Sequence, residues 1–115
     1  MTRLRAVTYR GLLRELATAS RLARQGRDQQ SLRHLERAHI LGQASTVQHV
    51  RVHWKMLLWG CRQKDAREIF GQIQRIIGAA IATPLGVLPR GNTGGANVSP
   101  FRSMPIPQDL EKLMP

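Results

Sequence analysis

The sequence has little of several features that would define a class of protein. Its only cysteine is Cys61, so no disulfide can form within the chain, and this favours a reducing compartment. None of its 115 residues lies in an apolar stretch near the roughly 18 residues of a membrane span. Arginines soon after the N-terminus interrupt any signal-peptide core. We therefore expect one small cytoplasmic domain without a membrane span.

Aromatic residues are few, and prolines are confined to one end of the chain. Two Trp, one Tyr and two Phe are the only aromatic residues, so a core must consist mainly of Leu, Ile, Val and Ala, which favours helix over sheet. All six prolines follow Thr83. We predict a helical domain, residues 1–82, and an irregular Gly- and Pro-rich C-terminal extension, residues 83–115. Apolar residues within the extension predict that it packs along the helices, with a last helical turn from Asp109 to Leu113.

Apolar residues recur at helical spacing in four segments of the helical domain. These segments predict helices from about Arg3 to Ala23, from Asp28 to Gly42, from Ser45 or Thr46 to between Gly60 and Lys64, and from Asp65 to Pro84. The third and fourth helices each have an apolar face that is predicted to be buried: Val47, Val50, Trp54, Leu57, Leu58 and Cys61 on the third, and Ile69, Phe70, Ile73, Ile76 and Ile77 on the fourth.

Short turns between these helices predict an all-α protein with an antiparallel arrangement. Gly26 and Gly60 are 34 residues apart, which is the length of the tetratricopeptide repeat. Gln72 replaces the small residue that this repeat would place after Gly60, so the match is partial. An antiparallel four-helix bundle and a two-unit tetratricopeptide-like array both remain compatible with the spacing.

The charge of the chain is strongly one-sided. The chain has 18 Lys and Arg residues but only seven Asp and Glu residues, which gives a net charge of +11. Arg3, Arg10, Arg14 and Arg21 recur along one side of the first helix and could bind an acidic protein or a nucleic acid. We favour a solvated face over a nucleic-acid surface, because the sequence has no phosphate-binding loop, zinc-finger spacing or RNA-binding aromatic motif. The oligomeric state is not predicted.

All four histidines lie within 20 residues of the chain, from His34 to His53. Helical geometry places His39 toward the core side of the second helix and His34 on the opposite side. His49 and His53 are one turn apart on the third helix. An antiparallel turn between the two helices brings His39 and His49 to similar heights, so three imidazoles and the carboxylate of Glu36, one turn before His39, could surround one point.

These four side chains, Glu36, His39, His49 and His53, form the predicted metal site. Imidazole with one carboxylate suits Zn, Cu, Ni or Fe better than Ca or Mg. The alternative is that His39 is a hydrogen-bonded core residue, with His49 and His53 paired to carboxylates or backbone. Because no carboxylate constellation for acid–base catalysis can be identified, we expect a binding protein rather than an enzyme. An interaction module that uses the arginine-rich face is the alternative function.

Several segments together resemble a bacterial family known as domain of unknown function 3703. The resemblance is carried by residues 35–43 (LERAHILGQ), 49–54 (HVRVHW), 84–86 (PLG) and 91–95 (GNTGG). It implies a small single-domain bacterial protein without an established activity. It also implies that His39, His49, His53 and the Gly91–Gly95 loop matter together.

Overall fold

Five helices make up the regular structure of residues 3–115, which are the residues that the computed structural model describes. They are α1 (Ala6–Arg24), α2 (Asp28–Gly42), α3 (Thr46–Gln63), α4 (Ala66–Ala82) and the short α5 (Gln108–Glu111). No strand occurs in this range. The predicted all-α class and its four long helices are confirmed.

Local chemistry accounts for the turns between the helices. The Ser45 hydroxyl accepts a hydrogen bond from the Gln48 backbone N–H, and the Asp65 carboxylate accepts one from Glu68, so both residues cap the helices that they precede. Lys64 ends α3 in the left-handed conformation, at φ 54°. At the start of α2, Arg27 is the cap and Asp28 is already the first helical residue.

The helices pack on their neighbours in the chain: α1 on α2, α2 on α3, and α3 on α4. The main core lies among α1, α2 and α3 and includes one residue of α5. Its buried members are Leu12, Leu16, Ala19, Leu35, Ala38, Ile40, Leu41, Val52, Met56, Trp59 and Leu110. None of the helices formed by residues 3–115 has the length and hydropathy needed to cross a membrane.

The prediction that the apolar faces of α3 and α4 are buried is wrong for most of their residues. Trp54 of α3 is 52 % exposed and Phe70 of α4 is 69 % exposed. The other exposed members of the predicted faces are Val47, Leu58, Cys61, Ile73 and Ile77. The buried side of α3 instead consists of His49, Val52, His53, Met56, Trp59 and Gly60, and that of α4 of Glu68, Gly71, Gln72 and Ala79. Both helices therefore direct polar side chains inward.

Residues 83–107 form no helix or strand but contact the helices at several points. The Gln43 side chain donates to the Pro89 carbonyl at 3.1 Å, and an Arg75 Nη donates to the Val98 carbonyl at 2.7 Å. Farther along, Leu110 is 1 % exposed within the main core. These contacts place the residues around Asn92 against α2 and α4, beside the histidines.

Candidate metal centre

Three histidine side chains meet in the interior where α2, α3 and α4 come together. The Nε2 atom of His39 lies 3.0 Å from Nε2 of His49 and 3.1 Å from Nε2 of His53. All three residues are buried, and their ligating atoms lie within 4.8 Å of one another. His39 is near the end of α2, and the short turn to Thr46 brings it opposite the first two turns of α3. The i, i+4 spacing then places His49 and His53 on one face.

Each imidazole is held from its other nitrogen by an oxygen atom. Nδ1 of His39 donates to the Asn92 carbonyl at 2.7 Å, because a carbonyl can only accept. Nδ1 of His53 lies 2.6 Å from Oε1 of Gln72. Nδ1 of His49 lies 2.7 Å from the Thr83 hydroxyl, which can either donate or accept. These contacts aim the three Nε2 atoms toward one another.

The partners of Gln72 determine which of its atoms faces His53. Its amide nitrogen donates to the Glu68 carboxylate at 2.8 Å and to the Gly94 carbonyl at 2.9 Å. The amide oxygen therefore faces His53, whose Nδ1 must be the donor. The Nε2 atoms of neutral His39 and His53 consequently present lone pairs to each other at 3.1 Å, with no hydrogen between them.

A cation between the nitrogens would remove this repulsion, and their spacing suits a metal ion. Two nitrogens bound to zinc at about 2.0–2.1 Å with tetrahedral angles are about 3.3 Å apart. The separations of 3.0 and 3.1 Å are within a few tenths of an ångström of that value. Two of the three separations are thus close to those that a bound ion requires, and all three ligating atoms lie within 4.8 Å of one another.

Protonation is a poor alternative, because the site disfavours a charged imidazole. Burial, reinforced by the neighbouring His53, lowers the pKa of His49 from its usual 6.5 to about 3. Burial likewise lowers the pKa of His53 to about 4, although its hydrogen bond to Gln72 opposes the shift and the charge of Arg75 adds to it. Burial also holds the pKa of His39 well below its usual value. Neutral imidazole is the form that binds metals.

A second layer of hydrogen bonds supports the imidazoles. The buried Glu68 accepts from Gln72 through one oxygen and from the Ala96 backbone N–H, at 3.2 Å, through the other. Asn92 is buried too, and its side-chain amide donates to the carbonyls of Ser99 and Arg102. Such outer contacts fix ligand orientation in metal sites. The network joins α4 and the Gly91–Gly95 loop to His39 and His53.

The residue at position 94 has no room for a side chain. Its φ is +82°, and its backbone N–H donates to Oδ1 of Asn92 at 2.8 Å. A Cβ atom at this position would lie 2.5 Å from Cδ2 of His39 and 2.8 Å from its Nε2. The loop backbone therefore lies directly against the imidazole, which explains why a glycine-rich segment forms this wall of the site.

Comparison with known protein families places the chain in one of them. The family model described as "Protein of unknown function (DUF3703)" matches residues 8–114. The chain belongs to DUF3703. Neither the curated proteins nor the solved structures compared with it gave a match. The matched range of the DUF3703 chain includes every residue of the histidine cluster and its supporting loop.

The structure brings together three of the four predicted metal-site residues. Glu36, the fourth, lies outside the group that His39, His49 and His53 form. Burial, with a further contribution from Glu68, raises the pKa of the Glu36 carboxyl. As predicted from its helical position, His34 lies apart from the others: its Nδ1 is 2.6 Å from a Glu15 carboxylate oxygen.

Sequence reasoning missed the residues that orient the imidazoles. The sequence pattern predicts no role for Thr83 or Gln72 at the site, and it includes Asn92 only as part of the glycine-rich segment. Glu68 is likewise not a member of the predicted site, although its carboxylate accepts hydrogen bonds from Gln72 and from the Ala96 backbone N–H. One available signal was the presence of Glu68 and Gln72 at i and i+4, which places two polar side chains on one face of the fourth helix.

Proposed function

We propose that this DUF3703 protein binds a transition-metal ion through the Nε2 atoms of His39, His49 and His53. The observation that carries the proposal is the convergence of these atoms at 3.0 and 3.1 Å while the opposite ring nitrogens are held by oxygen partners. A set of hydrogen-bonded core histidines would pair ring donors with acceptors. Here two lone pairs face each other instead, an arrangement that a cation stabilises.

The donor set indicates the class of metal. Three neutral imidazoles suit Zn²⁺, Cu²⁺, Ni²⁺ or Fe²⁺, while Ca²⁺ and Mg²⁺ prefer oxygen ligands. Structural zinc sites are usually closed by four protein ligands, but three protein ligands leave a coordination position for water or another molecule. The histidines also line a cavity of about 540 Å³. An open site of this kind serves metal handling, sensing or catalysis better than it serves fold stabilisation.

The metal content of the untagged protein tests this proposal. We expect close to one equivalent of a transition metal by plasma mass spectrometry, or one-site binding by calorimetry after removal of metal with a chelator. The His39→Ala variant should lose it. The matched control is His34→Ala, because His34 lies outside the cluster and contacts Glu15. Wild-type protein that neither contains nor takes up metal would refute the proposal.

Glu36 needs its own variant, because it belongs to the set of ligands predicted from the sequence. Glu36→Gln preserves the size of the side chain while removing its charge. If the three histidines suffice, this variant should bind metal with wild-type stoichiometry. A loss comparable to that of His39→Ala would instead make Glu36 a ligand, which would require it to move toward the cluster on metal binding.

A second candidate function is binding to an acidic partner through α1. The supporting observation is that Arg10, Arg14 and Arg21 of α1 are all exposed, as is Arg3, which precedes the helix. Arginines on one face gain affinity for polyanions by releasing counterions, so such binding must weaken steeply as salt is added. Titration of a labelled DNA duplex and of a polyglutamate chain at 50 and 200 mM salt tests this candidate. An Arg10→Glu/Arg14→Glu variant with unchanged binding would eliminate it.

A further inference from the structure

The cavity beside the histidines has walls that are chemically unlike the metal centre. Its volume is about 540 Å³, within the range of about 300–1,000 Å³ that is typical of sites for small organic molecules. Apolar side chains from α4 and from the segment after it form much of the lining: Phe70, Ala79, Ala82, Val87, Pro100 and Phe101. A water molecule or a small inorganic oxyanion would fill little of this space. The lining therefore suits a ligand with an apolar body.

The charged residues of the lining are all cationic. Arg67 and Arg75 line the cavity, and no Asp or Glu does so among residues 3–115. Arg75 donates through its two Nη atoms to the carbonyls of Gly71 and Val98. Its Nε is buried and has no hydrogen-bond partner within the described part of the chain. A divalent metal on three neutral imidazoles would add two further positive charges. A ligand with a negative head group is the one that complements this site.

We propose that the cavity binds a small organic carboxylate, with its head group on the open metal position and its apolar body between Phe70, Val87 and Phe101. This inference rests on the proposed function, because the metal anchors the head group. The carboxylate offsets the charge of the metal and of the nearby arginines, and the chain or ring of the ligand removes apolar wall from water. Inorganic anions would offset the positive charge without covering the apolar wall, and neutral apolar molecules would cover the wall without offsetting the charge.

Substitution of Gly78 can fill part of the cavity while leaving all three histidines unchanged. Gly78 lies in α4 and lines the cavity, and a Cβ atom added to it would meet nothing within 4 Å. Gly78→Leu should therefore occupy part of the ligand space, while Gly78→Ala adds a single methyl group and serves as the control. Both residues favour helix more than glycine does, so both variants should fold.

The test uses full-length protein loaded with Co²⁺, whose visible absorption reports the ligands of the metal. Cobalt uptake is measured first, and the spectrum is then titrated with hexanoate, acetate and 1-hexanol. Each methylene buried strengthens binding about fourfold. With several methylenes buried, we expect hexanoate to change the spectrum and to bind at least tenfold tighter than acetate, while 1-hexanol leaves the spectrum unchanged. Gly78→Leu should lose most of the tenfold preference, and Gly78→Ala should keep it.

The possible failures are distinguishable. Wild-type protein that takes up no cobalt overturns the proposed function and, with it, this inference. Histidine-dependent cobalt uptake with a spectrum that does not respond to hexanoate overturns the inference alone. It is also overturned if acetate binds as tightly as hexanoate, if 1-hexanol competes equally well, or if Gly78→Leu binds hexanoate as the wild type does.

Discussion

Replacing Gly94 by alanine should damage the proposed metal centre through a single added methyl group. The Cβ would lie 2.5, 2.7 and 2.8 Å from Cδ2, Cγ and Nε2 of His39, whereas ordinary contacts begin near 3.4 Å. The ring or the loop must therefore move by about 0.6–0.9 Å, beyond the roughly 0.5 Å tolerance of a preorganised site. The φ of +82° adds a strain of about 1–2 kcal/mol for a residue with a Cβ.

We expect Gly94→Ala to lose about 2–4 kcal/mol of unfolding free energy, from the backbone strain together with the overpacking of the loop against the imidazole. We expect its metal affinity to fall about 10–100-fold, the size of effect seen when the orientation of a ligand is disturbed. Denaturant unfolding of the metal-free protein measures the first quantity. Competition with a chromophoric chelator measures the second.

Gly26→Ala is the matched control for this experiment. Gly26 has a similar φ of +74°, but a Cβ there would meet nothing within 4 Å. The control should show the strain alone, about 1–2 kcal/mol, with unchanged metal affinity. If Gly94→Ala bound metal as tightly as Gly26→Ala, the contact between the loop and His39 would have no part in holding the imidazole, and our account of the loop would be wrong.

Three further predictions concern the groups around the imidazoles. First, burial lowers the pKa of His49 to about 3 and that of His53 to about 4, whereas both have a pKa of 6.5 in the unfolded chain. At a pH between the folded and unfolded values, the unfolded chain therefore binds more protons than the folded protein. Metal-free protein should therefore lose stability as the pH falls from about 6.5 toward 4, by up to about 1.4 kcal/mol per pH unit for each histidine. Unfolding at pH 7, 6 and 5 measures this slope; His49→Gln should reduce it, and a flat profile would contradict the burial of neutral rings. Second, Gln72→Leu should cost about 2–4 kcal/mol of stability and weaken metal binding about tenfold or more, because it removes the hydrogen bonds of Gln72 to His53 and Glu68. Gln74→Leu, at an exposed position of the same helix, is the control and should change neither quantity. Unfolding and chelator titrations measure both. Third, Thr83→Val should weaken metal binding about tenfold with little change of shape, and Thr83→Ser should restore it, because the hydroxyl is the group that hydrogen-bonds to His49. Equal affinity in both variants would remove Thr83 from the site.

Helix positions followed from the sequence because their signals are local. The caps Ser45 and Asp65 and the glycine after α1 are readable one residue at a time, and they placed the helix ends within a few residues. The predicted convergence of His39, His49 and His53 depended only on helical period and a short connection. Such arguments span one hairpin, where few alternative geometries exist.

Contacts between distant parts of the chain could not be obtained in this way. Asn92 reaches His39 across 53 positions of sequence, and Thr83 reaches His49 across 34. Neither residue carries a periodic signal, and an irregular segment gives no geometric rule for where its backbone carbonyls will point. The inclusion of Glu36 in the predicted site had a related origin: helical spacing placed it on the same side as His39 without giving the distance to the helix opposite.

The wrong prediction of which faces of α3 and α4 are buried has a more specific physical cause. Hydrophobic periodicity assumes that the more apolar face of a helix is the buried one, and by that rule Trp54 and Phe70 belong inside. The structure instead buries His49, His53 and Gln72, whose desolvation is unfavourable unless every polar atom finds a partner. Their outer nitrogens and amide atoms do so, but the Nε2 atoms of His39 and His53 do not satisfy each other. Sequences depart from the apolar-inside rule chiefly at functional sites, where the stability given up is recovered by what binds there. In this chain, the proposed metal ion on the three imidazoles would complete the polar interior.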